Sequence, residues 1–136
     1  MMKNPAKSDA EWRMTLAPDQ YAVLRQSATE PAFSGALYAN KKTGTYHCGA
    51  CGARLFSSAA KYESGSGWPS FSQPAEGDNV KIVTDRSHGM IREEVRCAVC
   101  DSHLGHRFDD GLGPAGQRYC INSLALDFSE EGRPPQ

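Results

Sequence analysis

The hydrophobic pattern predicts short elements throughout. Ser8-Asp9-Ala10-Glu11 has capping-box spacing, in which a serine and a glutamate satisfy each other's backbone N–H groups, so a short helix is expected there. A second short helix is expected from Pro18, a residue suited to a first helical turn, with Tyr21 and Leu24 on its buried side. Pro31, Gly35 and Gly44 mark the stretch 29–44 as loop, and strand is expected around Tyr46. Residues 57–62 read as one helical turn. Two glycines and a proline exclude regular structure from Ser64 to Ser70. Val80–Thr84 reads as a strand, and Ile91, Glu93, Val95 and Cys97 alternate with Arg92, Glu94 and Arg96, which predicts another over 90–97. A turn is expected at 111–116 and a last strand from Arg118 toward Phe128. Residues 1–7 and 129–136 are expected to be flexible tails around a single domain at 8–128.

Composition narrows the functions. Thirteen glycines and eight prolines in 136 residues favour many short strands over long helices, hence a mainly β chain. A formal net charge of −1 supplies no field for a phosphate backbone, so nucleic acid is not an expected partner. No apolar stretch is long enough to span a bilayer, so no membrane partner is expected. The start of the chain has no apolar core segment and reads as carrying no secretory signal. With five cysteines, an odd number, a secreted disulfide framework is disfavoured and the reducing cytoplasm is the expected compartment.

Four of those cysteines form two Cys-x-x-Cys pairs, Cys48/Cys51 and Cys97/Cys100, far apart in the chain. Two intervening residues let two thiolates reach one metal from a tight turn, which Gly49 is expected to ease, and two such turns supply a closed tetrahedral zinc site. A redox-active pair is the alternative, but it normally needs one Cys-x-x-Cys between strand and helix. A mixed site with His103 and His106 is also conceivable, although four sulfurs already complete the shell. Such a metal is expected to hold the fold and do no chemistry.

Cys120 stands alone. In a strand, period two puts Arg118, Cys120 and Asn122 on one face and Tyr119 and Ile121 on the other. A thiol between a guanidinium and an amide has the polar, electropositive setting that favours thiolate, whereas the plain alternative is a buried structural cysteine. His103, His106 and Asp110 precede it and suggest acid–base work. The two histidines would face opposite ways in a regular strand, unless Gly105 bends the chain. His47 and His88 have no such company and read as structural or solvated.

Taken together, Ser64-Gly65-Ser66-Gly67-Trp68-Pro69-Ser70-Phe71, His103-Leu104-Gly105-His106 and Arg118-Tyr119-Cys120-Ile121-Asn122-Ser123 resemble the B-type methionine sulfoxide reductases, from about Trp12 to Phe128 and including Thr29-Glu30-Pro31. The resemblance implies a mainly β fold of two antiparallel sheets with short helices. It implies Cys120 as the nucleophile, His103 and His106 near the substrate oxygen, Asp110 and Arg118 as orienting groups, and Asn122 as the amide beyond the nucleophile. Trp68 becomes the aromatic wall against the substrate methyl, and the R epimer of a peptide-borne sulfoxide becomes the substrate. The reductant is an external thiol, such as glutathione, glutaredoxin or thioredoxin, and the protein is expected to work as a monomer. Two positions depart from the family pattern. Ser66 stands where many relatives carry the cysteine that resolves the sulfenic acid, and Arg107 stands where relatives usually carry a small apolar residue, a change that either alters the pocket edge or does nothing. A zinc-ribbon binding module would explain the four cysteines equally well but leaves Cys120 unexplained, and a redox sensor would use the same thiol without a substrate.

Overall fold

The computed structural model describes residues 8–86, 89–109 and 116–130. In chain order its elements are α1 (Asp9–Thr15), α2 (Pro18–Gln26), β1 (Gly44–Cys48), β2 (Arg54–Ser57), β3 (Lys61–Tyr62), β4 (Ser70–Phe71), β5 (Val80–Asp85), β6 (Arg92–Cys97), β7 (His103–Phe108), β8 (Arg118–Ile121) and β9 (Leu126–Glu130). They build two antiparallel sheets, of order β2-β1-β9 and β3-β4-β8-β7-β6-β5. Among the described residues no helix is long and apolar enough to cross a membrane.

The helices begin where local chemistry sets them. The Ser8 hydroxyl accepts from the Glu11 N–H at 3.3 Å while the Glu11 carboxylate accepts from the Ser8 N–H at 3.0 Å, so α1 carries its capping box. Tyr21, Val23 and Leu24 are the buried side of α2. The sheets meet through aromatic rings: Phe56 of β2 stacks on Phe71 of β4 at 4.4 Å between centroids, and Tyr46 of β1 meets Phe71 edge-on at 5.1 Å.

Three expectations need correction. Only Ser58–Ala60 of the stretch 57–62 is helical; Lys61 and Tyr62 pair with β4. The strand expected at 90–97 starts at Arg92, leaving Ile91 largely exposed. The last strand expected from Arg118 is two strands in different sheets, β8 and β9, with a short 3₁₀ turn at Ser123–Ala125 between them. Hydrogen bonds explain that break: the Asn122 backbone and side-chain N–H groups both donate to the Leu104 carbonyl at 3.0 Å, and the Gly49 N–H takes the Ala125 carbonyl at 2.8 Å. Pairing of β9 with β1 also continues past Phe128 to Ser129 and Glu130. The segments 1–7 and 131–136, His88, Asp110 and most of the turn expected at 111–116 lie outside the described residues.

Candidate active site and metal centre

The four-cysteine cluster, a candidate metal centre, forms where two strand ends turn over. β1 ends at Cys48 and β6 at Cys97, and each runs straight into a tight turn that returns its second cysteine. In the first, the Gly52 N–H donates to the Cys48 carbonyl at 2.9 Å; in the second, the Asp101 N–H donates to the Cys97 carbonyl at 2.9 Å. Gly52 and Asp101, at equivalent places, have φ of 83° and 65°. The left-handed residue of the first turn is therefore Gly52, not Gly49, which packs on the Ala125 carbonyl instead. The four sulfurs are buried and lie within 4.8 Å of one another, with Cys48–Cys100 and Cys51–Cys97 each at 3.6 Å. A tetrahedral zinc thiolate site spaces its sulfurs by about 3.8 Å, so this donor set fits such an ion. No disulfide joins them. Hydrogen bonding among the crowded sulfurs divides them: Cys48 and Cys51 are pushed far up, chiefly through Cys100, and Cys100 is held far down, chiefly through Cys48. His103 turns to a carboxylate instead, so the cluster is all sulfur. Arg25 of α2 donates to the Cys100 carbonyl at 2.8 Å, tying the helical layer to this knuckle.

Cys120 lies on the other side of β7, in the wall of a cavity of about 110 Å³. Antiparallel pairing sets it opposite Ser70 on β4 and opposite His106 on β7. It is half-buried, with Tyr119 and Ile121 turned into the core, as period two requires. Trp68 forms another wall; its indole N–H donates to the Glu30 carbonyl at 3.0 Å, which fixes the ring and leaves its apolar surface on the cavity. Asn122 lines the cavity and braces it, its side-chain oxygen accepting the Glu30 N–H at 3.0 Å.

The histidines do converge, and a β-bulge is the cause. β6 and β7 pair Val95 with Gly105 but Arg96 with His103, which leaves Leu104 as an extra residue on β7. The bulge breaks the two-residue alternation and brings the rings of His103 and His106 to 5.5 Å between centroids, edge to face. Gly105, expected to supply the bend, serves another purpose: a Cβ there would collide with the carbonyl oxygen of Cys120, so glycine is what lets β7 and β8 approach.

Each imidazole leans on a carboxylate. His103 Nδ1 is 2.7 Å from Glu94 Oε2, with both side chains buried, and its Nε2 has no hydrogen-bond partner among the described residues. Burial outweighs the pull of Glu94 and pushes the His103 imidazole below its usual range. Burial pushes the Glu94 carboxyl up, but Arg96 and His103 outweigh it and hold the group below the usual carboxylate range. His106 lines the cavity, and its Nε2 is 2.9 Å from Asp85 Oδ2. Asp85 also pairs with Arg92 at 3.2 Å. Arg92 lines the cavity too, and its buried Nε–H finds no partner among the described residues.

The structure thus gathers Cys120, His106, Asn122 and Trp68 on one cavity, with His103 buried behind His106. Arg118 is not in the lining; it stacks 4.7 Å over the ring of Phe108, which is. Arg107 is not in the cavity lining; it pairs with Glu93 and lies over the Tyr119 ring. Sequence reasoning missed Thr29, Arg92 and Phe108 in the lining and Asp85 and Glu94 behind the histidines. Glu94 could have been found only as a carboxylate destined for the strand beside His103.

A family model described as the SelR domain matches residues 16–130. Among curated relatives, the peptide methionine sulfoxide reductase MsrB of Thioalkalivibrio sulfidiphilus is 60% identical, over 89% of this chain and 88% of its own length. The protein of the same name from Leptospira interrogans is 58% identical over 92% of this chain and 95% of its own. That from Methanosarcina barkeri is 55% identical over 93% and 91%.

Proposed function

The chain belongs to the SelR family, that of the peptide methionine sulfoxide reductases named MsrB, and from that premise we propose a mechanism built on Cys120. The protein is an oxidoreductase that acts on methionine sulfoxide in peptides. The substrate is read as the R epimer, and the end of its side chain as the occupant of the cavity. The observation that carries this reading is the half-buried Cys120 on a small cavity between the His106 imidazole and the Trp68 ring.

Sulfoxide oxygen leaves poorly as an anion. As the Cys120 thiolate attacks, an imidazolium at His106 or His103 delivers a proton to that oxygen. Oxygen passes from the substrate sulfur to the cysteine sulfur: methionine is released reduced and Cys120 is left as a sulfenic acid. Trp68 packs on the substrate methyl, Asn122 holds the Cys120 segment in register, and Arg118 and Asp110 orient the polar network. The oxidised cysteine returns to thiol through an external thiol, with glutathione, glutaredoxin and thioredoxin as the candidate classes.

Cys48, Cys51, Cys97 and Cys100 would hold one zinc ion, whose work is structural because four sulfurs leave it no open position. A lone reactive thiol beside a zinc–thiolate site suits a reducing compartment, and the cytoplasm is the proposed one.

Turnover of a peptide carrying separated R and S sulfoxides, with an added dithiol, tests the reading. The wild-type protein is expected to reduce only the R epimer, and Cys120→Ser is expected to reduce neither while keeping its metal. Appreciable activity in Cys120→Ser would overturn the assignment of the nucleophile.

A further inference from the structure

Ser66 lies 3.6 Å from the sulfur of Cys120, Oγ to Sγ, and its hydroxyl is the end of a chain of three. Ser64 donates to Ser66 Oγ at 2.8 Å, and Ser70 Oγ lies 2.6 Å from Ser64 Oγ and 3.1 Å from the Trp68 carbonyl, two acceptors for its single proton. Each hydroxyl has one proton to give. Ser66 Oγ already accepts, from Ser64 and from the Trp68 N–H at 3.4 Å. Its own proton has three nearby targets, the Trp68 carbonyl at 3.4 Å, Ser70 Oγ at 3.5 Å and the Cys120 sulfur at 3.6 Å. For an oxygen acceptor 3.4 Å is long, whereas 3.6 Å is an ordinary approach to the larger sulfur. A thiolate attracts a donor more strongly than a neutral carbonyl or hydroxyl.

The loop is built to hold this hydroxyl in place. Gly65 and Gly67 flank Ser66 with φ of 75° and 94°, a backbone path that other residues adopt only under strain. A Cβ at Gly67 would come within 2.7 Å of the Ala32 Cβ, and the Gly67 carbonyl accepts the Phe33 N–H at 2.7 Å. Ser70, at the far end of the loop, is paired with Cys120 itself. The loop is thus fixed at its middle to the segment of Ala32 and Phe33 and at its far end to the strand that carries the sulfur.

We propose that Ser66 is a catalytic residue for this reaction, donating a hydrogen bond from its hydroxyl to the Cys120 sulfur and so holding the thiolate ready for attack. The inference rests on Cys120 being the nucleophile. It changes the meaning of a serine at this position from a missing thiol to a working donor.

The test is the pH profile of Cys120 alkylation by iodoacetamide in the metal-loaded full chain, read at Cys120 by mass spectrometry without any sulfoxide. Ser66→Ala is expected to move the profile toward higher pH and to slow alkylation at pH 7 by about three- to tenfold, since one hydrogen bond to a charged acceptor is lost. Thr and Val have the same shape and differ by a hydroxyl, so they separate donation from packing. Ser66→Thr is expected to follow the wild type and Ser66→Val to follow alanine, which keeps the test decisive even if Ser66→Ala folds poorly. An unmoved profile in Ser66→Val, or Thr and Val variants that behave alike, would overturn the proposal while leaving Cys120 as nucleophile. A wild-type Cys120 that resists alkylation at every pH would overturn both.

Discussion

Gly105 on β7 gives the strand of Cys120 its place: the backbone of β8 crosses so near that a Cβ at position 105 would collide with the Cys120 carbonyl oxygen and come within 3.0 Å of the Ile121 Cα. Both contacts are backbone, so no side chain can swing aside. Gly105→Ala is therefore expected to force β7 and β8 apart, costing about 2–3 kcal/mol or more, in the range of severe overpacking. Because the displaced atom belongs to the nucleophile's own residue, kcat is expected to fall further than stability alone explains. Urea unfolding and single-turnover kinetics check this; a variant with wild-type stability and rate would show that the strands can separate without cost.

The imidazoles carry the next expectation. His106→Ala or His103→Ala is expected to slow the chemical step by about 10²–10⁴-fold if that ring delivers the proton. Single-turnover reduction of an R sulfoxide peptide, which excludes recycling, is the measurement. Full rate in both variants would remove the acid from the mechanism.

Acid stability follows from the buried Glu94–His103 pair. His103 titrates at about 6.5 when unfolded and lower when folded, because burial disfavours its charge. Between those two values the unfolded chain binds more protons, so stability rises with pH there and is lost as pH falls below about 6.5. Glu94 acts in the same direction lower down, since its folded carboxyl ionises below its usual 4.5. Urea midpoints measured from pH 7.5 to 5.5 are expected to fall, and to fall less steeply in His103→Gln. Parallel slopes in the two proteins would contradict the assignment.

What the sequence made legible was local. The Ser8–Glu11 capping box, Pro18 at a helix start and the two Cys-x-x-Cys turns all depend on residues a few positions apart. The side of β8 that presents Cys120 followed from strict alternation. What was illegible depends on pairing between distant strands. Glu94 alternates with Arg92 and Arg96 and so reads as a solvated face; only β7 laid beside β6 buries it against His103. The Leu104 bulge is likewise a property of that register and of neither strand alone. Asp85 meets His106 across the intervening β6, a relation no spacing in the sequence encodes.

The metal centre predicts about one zinc ion per chain, with Zn–S distances near 2.3 Å by X-ray absorption. Cys97→Ser is expected to lose the metal and to unfold at much lower urea, because β1 and β6 both end in the cluster and share no strand pairing. A metal-free Cys97→Ser protein as stable as the wild type would show that the sulfurs are not what holds these strand ends.

Recycling is decided by which sulfurs can meet. Cys120 is half-buried on its cavity, while the other four cysteines are buried together in one cluster that could hold a metal ion. From the 64–70 loop the Ser66 hydroxyl lies 3.6 Å from the Cys120 sulfur, and a hydroxyl cannot form a disulfide. After one turnover without reductant, Cys120 is therefore expected to stay a sulfenic acid until an external thiol attacks it, forming a mixed disulfide that a second thiol opens. The same exposure makes it vulnerable: excess oxidant is expected to carry it on to sulfinic acid, beyond the reach of ordinary thiols. Mass spectrometry after one equivalent of sulfoxide peptide reads the outcome. A gain of one oxygen, or a dimedone adduct at Cys120, is expected. An internal disulfide between Cys120 and any of Cys48, Cys51, Cys97 or Cys100, with release of metal, would falsify the one-cysteine cycle and make the metal cluster the resolving partner.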